Sequence, residues 1–471
     1  MNRKVSWGII GMGVMGTNIS RNFASQGHTV ALYNRFVKGK EENIALKCTQ
    51  EYSELKNALA FEELDLFVSA LKFPRKILLM IPSGLALEKI LEELIPMLSQ
   101  GDVLIDGGNS HYNDTEKRAS LLNEKKIHFL GMGVSGGKIG ALNGPSLMIG
   151  GNLDGYKIVN RDLESIAAKD IYGTRCCSYL GLGGAGHYIK MVHNGIEYAE
   201  MQLLAEIFEL CMTSPALNFA SIHKELSVWK KSFSQSYLLE ITSEILTYND
   251  DGIPFINKIL DKASSKGTVA WAIANGALLG SPNSLMASAL HARFTSSLKS
   301  KREKLSKSYK IQKGKYETPL KKLKKVYDVS RLINHHQGFE MIKSANDKFS
   351  WEINFATVAR LWSEGSIIKS QLMNALVKEF QKNDSIIEME KFKKEIIDAQ
   401  EDWISIIKYA LDNVVPIPCI YSAWNYFISM TQSTSNGNLI QAQRDFFGAH
   451  GFQRIDQKKG TLSHGPWSKK N

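Results

Sequence analysis

The stretch that most constrains the fold lies at the start of the chain. Val5-Ser-Trp-Gly-Ile-Ile10 reads as a buried strand and runs straight into Gly11-Met-Gly-Val-Met-Gly16. A helical pattern follows to about Gln26, and His28-Thr-Val-Ala-Leu-Tyr33 reads as a second strand. Three glycines spaced G-x-G-x-x-G between a strand and a helix are the pattern of a pyrophosphate-binding turn. Gly11 permits the tight turn, Gly13 lets the backbone approach the phosphates, and Gly16 lets the helix pack closely on the sheet. The phosphates then face free N–H groups and the positive end of a helix. Further apolar runs at Leu66–Ala70, Lys76–Ile81, Val103–Ile105 and His128–Met132 alternate with helical patterns to about residue 180. This predicts a parallel sheet wrapped by helices.

The end of the second strand bears on which dinucleotide is held. An NAD site usually has Asp or Glu there to hold the ribose hydroxyls, and this chain has Asn34-Arg35. A carboxylate repels a 2′-phosphate, whereas a guanidinium grips it with charge-assisted hydrogen bonds. NADP is the expected cofactor.

From Gly186 to about residue 430 long amphipathic patterns dominate, as in Ala199–Thr213, Ser234–Thr247 and Glu388–Asn413, with a break at Pro416 and Pro418. A chain of 471 residues exceeds one ordinary core. The expected fold is an α/β dinucleotide-binding, Rossmann-like N-terminal domain (1–180), a large all-helical domain (181–435), to which the resemblance given below assigns substrate and dimerisation, and a C-terminal tail (436–471). The tail has few periodic apolar positions and is expected to be ordered only against something else.

Residues 186–198 carry the chemistry. At helical spacing Ile189, Val192, Ile196 and Ala199 form a core stripe. Lys190, Asn194 and Glu197 form a second stripe, with His187, His193 and Tyr198 alongside. An amine and a carboxylate two turns apart are separated by roughly 10 Å along a helix axis, room for a small polyol.

Composition narrows the partners. The net charge of +11 would suit a polyanion. Between Lys299 and Lys325, however, twelve Lys and Arg face only Glu303 and Glu317, so the excess is local and has little aromatic interleaving. A solvated basic face is the reading, with no nucleic acid as partner. No apolar run reaches the length of a membrane span. The five cysteines, Cys48, Cys176, Cys177, Cys211 and Cys419, lack metal-ligand spacing and suit a reducing compartment. With the first strand inside the first ten residues, no leader is expected, and the chain is placed in the cytoplasm with no metal site.

Together with several further segments, this pattern resembles the 6-phosphogluconate dehydrogenase (decarboxylating) family. The matching words are Ile105-Asp-Gly-Gly-Asn-Ser110, Gly133-Val-Ser-Gly-Gly137, Gly144-Pro-Ser-Leu-Met148, Gly186–Tyr198, Lys266-Gly-Thr268, Ala292-Arg293, Leu361-Trp362 and Ile440-Gln-Ala-Gln-Arg-Asp-Phe-Phe-Gly-Ala-His450. They span nearly the whole chain. The resemblance implies NADP-dependent oxidative decarboxylation of 6-phosphogluconate to ribulose 5-phosphate in the pentose phosphate pathway. Lys190 would be the base at the carbon-3 hydroxyl and later the acid at the carbonyl oxygen, and Glu197 would protonate the enediol. A lysine working near neutral pH needs its pKa lowered from ~10.4 to ~7–8, a preference of about 4 kcal/mol for the neutral form.

The resemblance also implies substrate ligands at Asn109, Ser135, Gly136, Gly137, His193, Asn194, Tyr198, Lys266, Thr268 and Arg293. Arg444 and His450 would reach the partner's site in a homodimer that exchanges tails. Cofactor contacts would come from Gly11, Gly13, Met15, Gly16, Asn34, Arg35 and Asn109. The chain departs from the family's usual words in three places: Ile81-Pro-Ser-Gly84 stands for Val-Lys-Ala-Gly, Phe36 for a threonine and Gly13 for an alanine. These touch the cofactor contacts and leave Lys190 and Glu197 untouched. Two other readings remain: a β-hydroxyacid dehydrogenase for another substrate, against which Lys266, Arg293, Arg444 and His450 argue, and a non-catalytic dinucleotide-binding protein, against which Lys190 and Glu197 argue.

Overall fold

A computed structural model describes residues 4–309, 314 and 320–469. The chain divides into two compact units, Met1–Ser422 and Ala423–Asn471.

The larger unit opens with an eight-stranded sheet: β1 (Trp7–Ile10), β2 (Val30–Tyr33), β3 (Leu59–Phe61), β4 (Lys76–Leu79), β5 (Val103–Asp106), β6 (His128–Ser135), β7 (Ser146–Gly151) and β8 (Cys177–Gly181). Their order is β3-β2-β1-β4-β5-β6-β7-β8. The strands bury both faces. Trp7, Ile9, Leu32, Leu78 and Ile105 enter one core, while Ile10, Ala31, Tyr33, Ile77, Leu79 and Leu104 enter the other. That alternation is the period-two pattern of a sheet covered on both sides. The strand order switches direction at β1 and β4, which opens a crevice at their carboxyl ends.

Two sequence expectations are corrected. The sheet is not parallel throughout: β6 pairs antiparallel with β7, with Met132 opposite Ile149. The connection between them holds only the short helix Gly137–Asn143, too little for a parallel crossover. And Leu66–Ala70 is no strand but part of the helix Leu64–Ser69. Leu64, Phe67, Val68 and Leu71 are buried at helical spacing, and a short apolar run alone does not separate the two forms.

Beyond β8 the unit is helical. The central helix, Ala185–Met212, is buried along most of its length. It lies against β6 and β7 so closely that a Cβ on Gly133 would stand 2.5 Å from Lys190 Cβ. The helix Leu320–Phe349 packs along its other side, where Arg331 Nε donates to Glu200 Oε1 at 2.7 Å and Asn334 Nδ2 to the Ile196 carbonyl at 2.9 Å. The amphipathic stretches read from sequence lie in the central helix and in Tyr237–Ile245 and Glu390–Asp412. Part of the basic segment Lys299–Lys325 lies outside the described residues. In its described part, Lys299 and Arg302 pair with Asp261 at 2.7 and 2.8 Å.

The smaller unit contains the helix Gly437–Gly448 and a hairpin pairing Phe452–Gln453 with Leu462–Ser463. It has more internal order than its apolar pattern suggested, because a polar residue organises it. Buried Asp445 accepts hydrogen bonds from the N–H groups of Gly451 and Gly465, from Trp467 Nε1 and from His464 Nδ1. Four donors onto one carboxylate substitute for an apolar core. Among the described residues, no helix is long and apolar enough to cross a membrane.

Candidate active site

The crevice at the strand-order switch is a cleft of about 450 Å3. Its walls include Gly11, Met12, Gly13, Asn34, Arg35, Glu41, Ile81 and Pro82. Gly11 has a φ of +97°, and a Cβ on Gly16 would stand 1.9 Å from the Gly11 carbonyl oxygen, so the turn tolerates no side chain at Gly16. At Gly13 no atom lies within 4 Å of where a Cβ would stand. The helix Val14–Ser25 begins there without a side-chain cap, and the first N–H groups of a helix have no partner within it. This is a cradle of the right chemistry for a pyrophosphate.

Asn34 accepts a hydrogen bond from the Met12 N–H at 3.1 Å, which ties the glycine turn to the end of β2. Arg35 is exposed on the rim and is met there by Glu41, at 3.1 Å. Met15 is not among the lining residues; it packs, half-buried, against the core beneath. Asn109 is exposed on a turn that Asp106 shapes, accepting from the Gly108 N–H at 2.9 Å and the Ser110 hydroxyl at 2.5 Å.

The central helix brings the chemistry-bearing residues together. Lys190 is buried, its Nζ 3.4 Å from His193 Nδ1. Glu197 Oε2 lies 3.6 Å from the same nitrogen. The amine and carboxylate therefore lean toward one another across His193, closer than their positions along the axis suggested. Burial lowers the Lys190 pKa to about 8, with Glu197 pulling the other way. Burial pushes the Glu197 carboxyl above its ordinary range, opposed by Lys190, Arg293 and Lys266. His193 is held far below its usual pKa by burial and by Lys190, so it is neutral. Its Nε2 lies 2.9 Å from both the Ser135 and Ser366 hydroxyls.

The remaining predicted ligands surround this group. Ser135, at the end of β6, runs into Gly136 and Gly137, and Gly137 opens the short helix that follows. Asn194 Nδ2 donates to Thr268 Oγ1 at 3.3 Å. Thr268 is the first residue of the helix Thr268–Leu279, with exposed Lys266 just before it. The Arg293 guanidinium lies over the Tyr198 ring, 3.4 Å from its centroid, and donates to the Ser264 carbonyl at 3.0 Å. A helix N-terminus, a lysine and an arginine thus gather at one rim, the combination that suits a phosphate. Arg444 and His450 belong to the smaller unit, where both are exposed and Arg444 donates to Gln441 at 3.1 Å.

Sequence reading missed Ser366, Glu41 and Thr115. Ser366 is far from His193 along the chain and no periodicity marks it. Thr115 holds His187, whose Nδ1 lies 2.7 Å from Thr115 Oγ1, against Gly131 of β6.

A dinucleotide cleft, together with a buried amine and a half-buried carboxyl that Arg293 and Lys266 attend, defines the class as a nucleotide-dependent dehydrogenase of polar substrates. Residues 6–181 match the NAD binding domain of 6-phosphogluconate dehydrogenase, and residues 186–467 match the 6-phosphogluconate dehydrogenase C-terminal domain. The decarboxylating 6-phosphogluconate dehydrogenase of Haemophilus influenzae is 36% identical over 99% of this chain and 97% of that protein. The decarboxylating enzyme of Staphylococcus epidermidis is 38% identical over 98% of each. A solved structure of Plasmodium falciparum 6-phosphogluconate dehydrogenase, described in its apo form, with its cofactor NADP+ and with its substrate 6-phosphogluconate, is 30% identical. It has a TM-score of 0.92 and covers 98% of this chain and 100% of that one. The chain belongs to the 6-phosphogluconate dehydrogenase family.

Proposed function

We propose that this chain catalyses the NADP-dependent oxidative decarboxylation of 6-phosphogluconate to ribulose 5-phosphate and CO2. The observation that carries the reading is the Lys190–His193–Glu197 cluster on the central helix. NADP, when bound, accepts the hydride from carbon 3. Gly11, Gly13, Asn34 and Arg35 are the groups that would hold it, and the open cradle at Gly13 fits them to the task.

Neutral Lys190 takes the proton of the carbon-3 hydroxyl as that carbon is oxidised. The product is a β-keto acid, whose carboxylate leaves as CO2 while its electron pair moves toward the new carbonyl. Protonated Lys190 returns its proton to that carbonyl oxygen, which gives the enediol. Glu197, whose carboxyl burial raises above its ordinary range, delivers a proton to the former carbon 2, now carbon 1 of the product, while neutral Lys190 takes the proton of the carbon-3 hydroxyl, which completes the ketose. Lowering Lys190 from 10.5 to about 8 represents about 3 kcal/mol of preference for the neutral amine, and the same group then serves as acid. His193, pinned by two serine hydroxyls, keeps a neutral ring between the two reacting groups.

In this reading residues 1–180 hold cofactor, 181–435 hold substrate and partner, and 436–471 reach a second copy in a cytoplasmic homodimer. Leu439, Ile440, Phe446 and Phe447 support the last point, since the smaller unit leaves all four exposed. Lys190→Met tests the chemistry. Turnover of 6-phosphogluconate should fall by several orders of magnitude, with NADP binding unchanged by fluorescence titration. Turnover near that of the unmodified enzyme would remove Lys190 from the mechanism.

A further inference from the structure

Glu41 occupies the place where the cofactor's 2′-phosphate belongs. The chain leaves β2 at Asn34-Arg35 and folds back on itself in a turn closed by main-chain bonds and by the Glu42 carboxylate, which accepts from the Gly39 N–H at 2.6 Å. The Val37 N–H donates to the Glu41 carbonyl at 2.8 Å, the Glu41 N–H to the Val37 carbonyl at 2.8 Å, and the Lys40 N–H to the Val37 carbonyl at 3.0 Å. Gly39 sits at the bend with a φ of +75°. The turn delivers the Glu41 carboxylate onto both residues expected to hold the phosphate. Oε1 accepts from Arg35 Nη2 at 3.1 Å, and Oε2 accepts from Asn34 Nδ2 at 3.1 Å. A carboxylate here mimics two oxygens of a phosphate, and the guanidinium offers one fork for either.

Nothing else along the cleft compensates. Among the described residues that line it, Arg35 is the one cation; Pro82 forms part of the opposite wall and exposed Phe36 follows Arg35. A 2′-phosphate entering this rim therefore meets a guanidinium already neutralised, with a carboxylate beside it. An unphosphorylated ribose meets a carboxylate that accepts hydrogen bonds from its hydroxyls, the arrangement of an NAD site.

We propose that Glu41 is a specificity-determining residue of the cofactor site, which competes with the 2′-phosphate for Asn34 and Arg35 and so narrows the preference for NADP over NAD. The proposal rests on the cofactor reading above and deepens it. Because the turn is closed by main-chain bonds, replacing the side chain leaves its path intact.

The test uses the full chain and two probes, adenosine 2′,5′-bisphosphate and adenosine 5′-monophosphate, titrated by calorimetry against the unmodified protein, Glu41→Gln and Glu41→Ala. An exposed ion pair of this kind supports effects of about two- to fivefold on each nucleotide. Both variants should bind the bisphosphate about two- to fivefold more tightly and the monophosphate no better or more weakly. The KM ratio of NADP to NAD should fall in step. Equal changes for both probes, or none, would overturn the role of Glu41. Oxidation of 6-phosphogluconate by the unmodified enzyme is measured alongside, so a failed cofactor reading (neither probe binds and neither coenzyme is reduced) is told apart from a failed role for Glu41. Thermal melting of each variant reports whether the turn has been lost.

Discussion

Lys190 and Glu197 share one neighbour: His193 Nδ1 stands 3.4 Å from the amine and 3.6 Å from the carboxylate. The proposed mechanism requires a neutral Lys190 and a protonated Glu197. That form holds as many protons as the ion pair of charged lysine and charged glutamate, so pH does not redistribute the two. Activity should be flat between the two pKa values and fall outside them. On the alkaline side the limb is expected near pH 8, where the second proton leaves. The acid limb should lie above the ordinary carboxylate range, because Glu197 is raised by burial. Glu197→Gln removes the alkaline limb, leaving residual activity that rises with pH. It also removes the attraction that raises the Lys190 pKa, so that rise should centre below 8. A rate profile from pH 5 to about 10 checks both shapes.

Arg35 should matter to one cofactor and not the other. Arg35→Ala is expected to raise the KM for NADP about tenfold, the loss of one charge-assisted contact, and to leave the KM for NAD within about twofold. Parallel losses for both coenzymes would show that the 2′-phosphate is held elsewhere.

The glycines of the phosphate turn should differ sharply in tolerance. Gly13→Ala adds a methyl group to open space and should leave thermal stability unchanged. Gly16→Ala drives a Cβ into the Gly11 carbonyl, a contact only a shift of the backbone relieves. It should lower the melting temperature by several degrees and abolish dinucleotide binding, a loss of about 1–3 kcal/mol from overpacking.

What the sequence made legible is what is local. Strand, glycine turn and helix lie within about thirty residues, and Gly11 and Gly16 have steric reasons the structure repeats. The polar stripe on the central helix was legible for the same reason, since one helix sets its spacing. Its details were not. His187 belongs to that stripe by number, yet it turns toward Thr115 because Gly131 opens room on that side. Ser366 reaches His193 only through the packing of distant segments. Glu41 meets Arg35 because a main-chain turn brings it back, and turn geometry is poorly written in side-chain types. The reversal of β7 was hidden because an antiparallel and a parallel buried strand carry the same apolar residues.

If tails are exchanged, Arg444 and His450 serve the partner's Lys190. Mixing Arg444→Ala with Lys190→Met should then restore activity, because one site of a mixed dimer keeps both residues. With random exchange, about a quarter of the sites are intact, by binomial pairing of a symmetric dimer. Co-refolded mixtures that form mixed dimers and stay as inactive as their parents would place both residues in the same subunit's site.

The contact between Gly133 and Lys190 has a consequence for how such a catalyst changes over time. Lys190, the proposed base, is seated on a helix pressed against the sheet with no space for a methyl group at Gly133. The residues proposed to face the substrate's phosphate lie on other elements, the Lys266–Thr268 turn and the neighbouring helix with Arg293, and reach the central helix through side chains. In that proposal, proton transfer and recognition are carried by different elements joined through side chains. A descendant of this chain can exchange those side chains and accept a new acid, while Gly133 keeps Lys190 where it is.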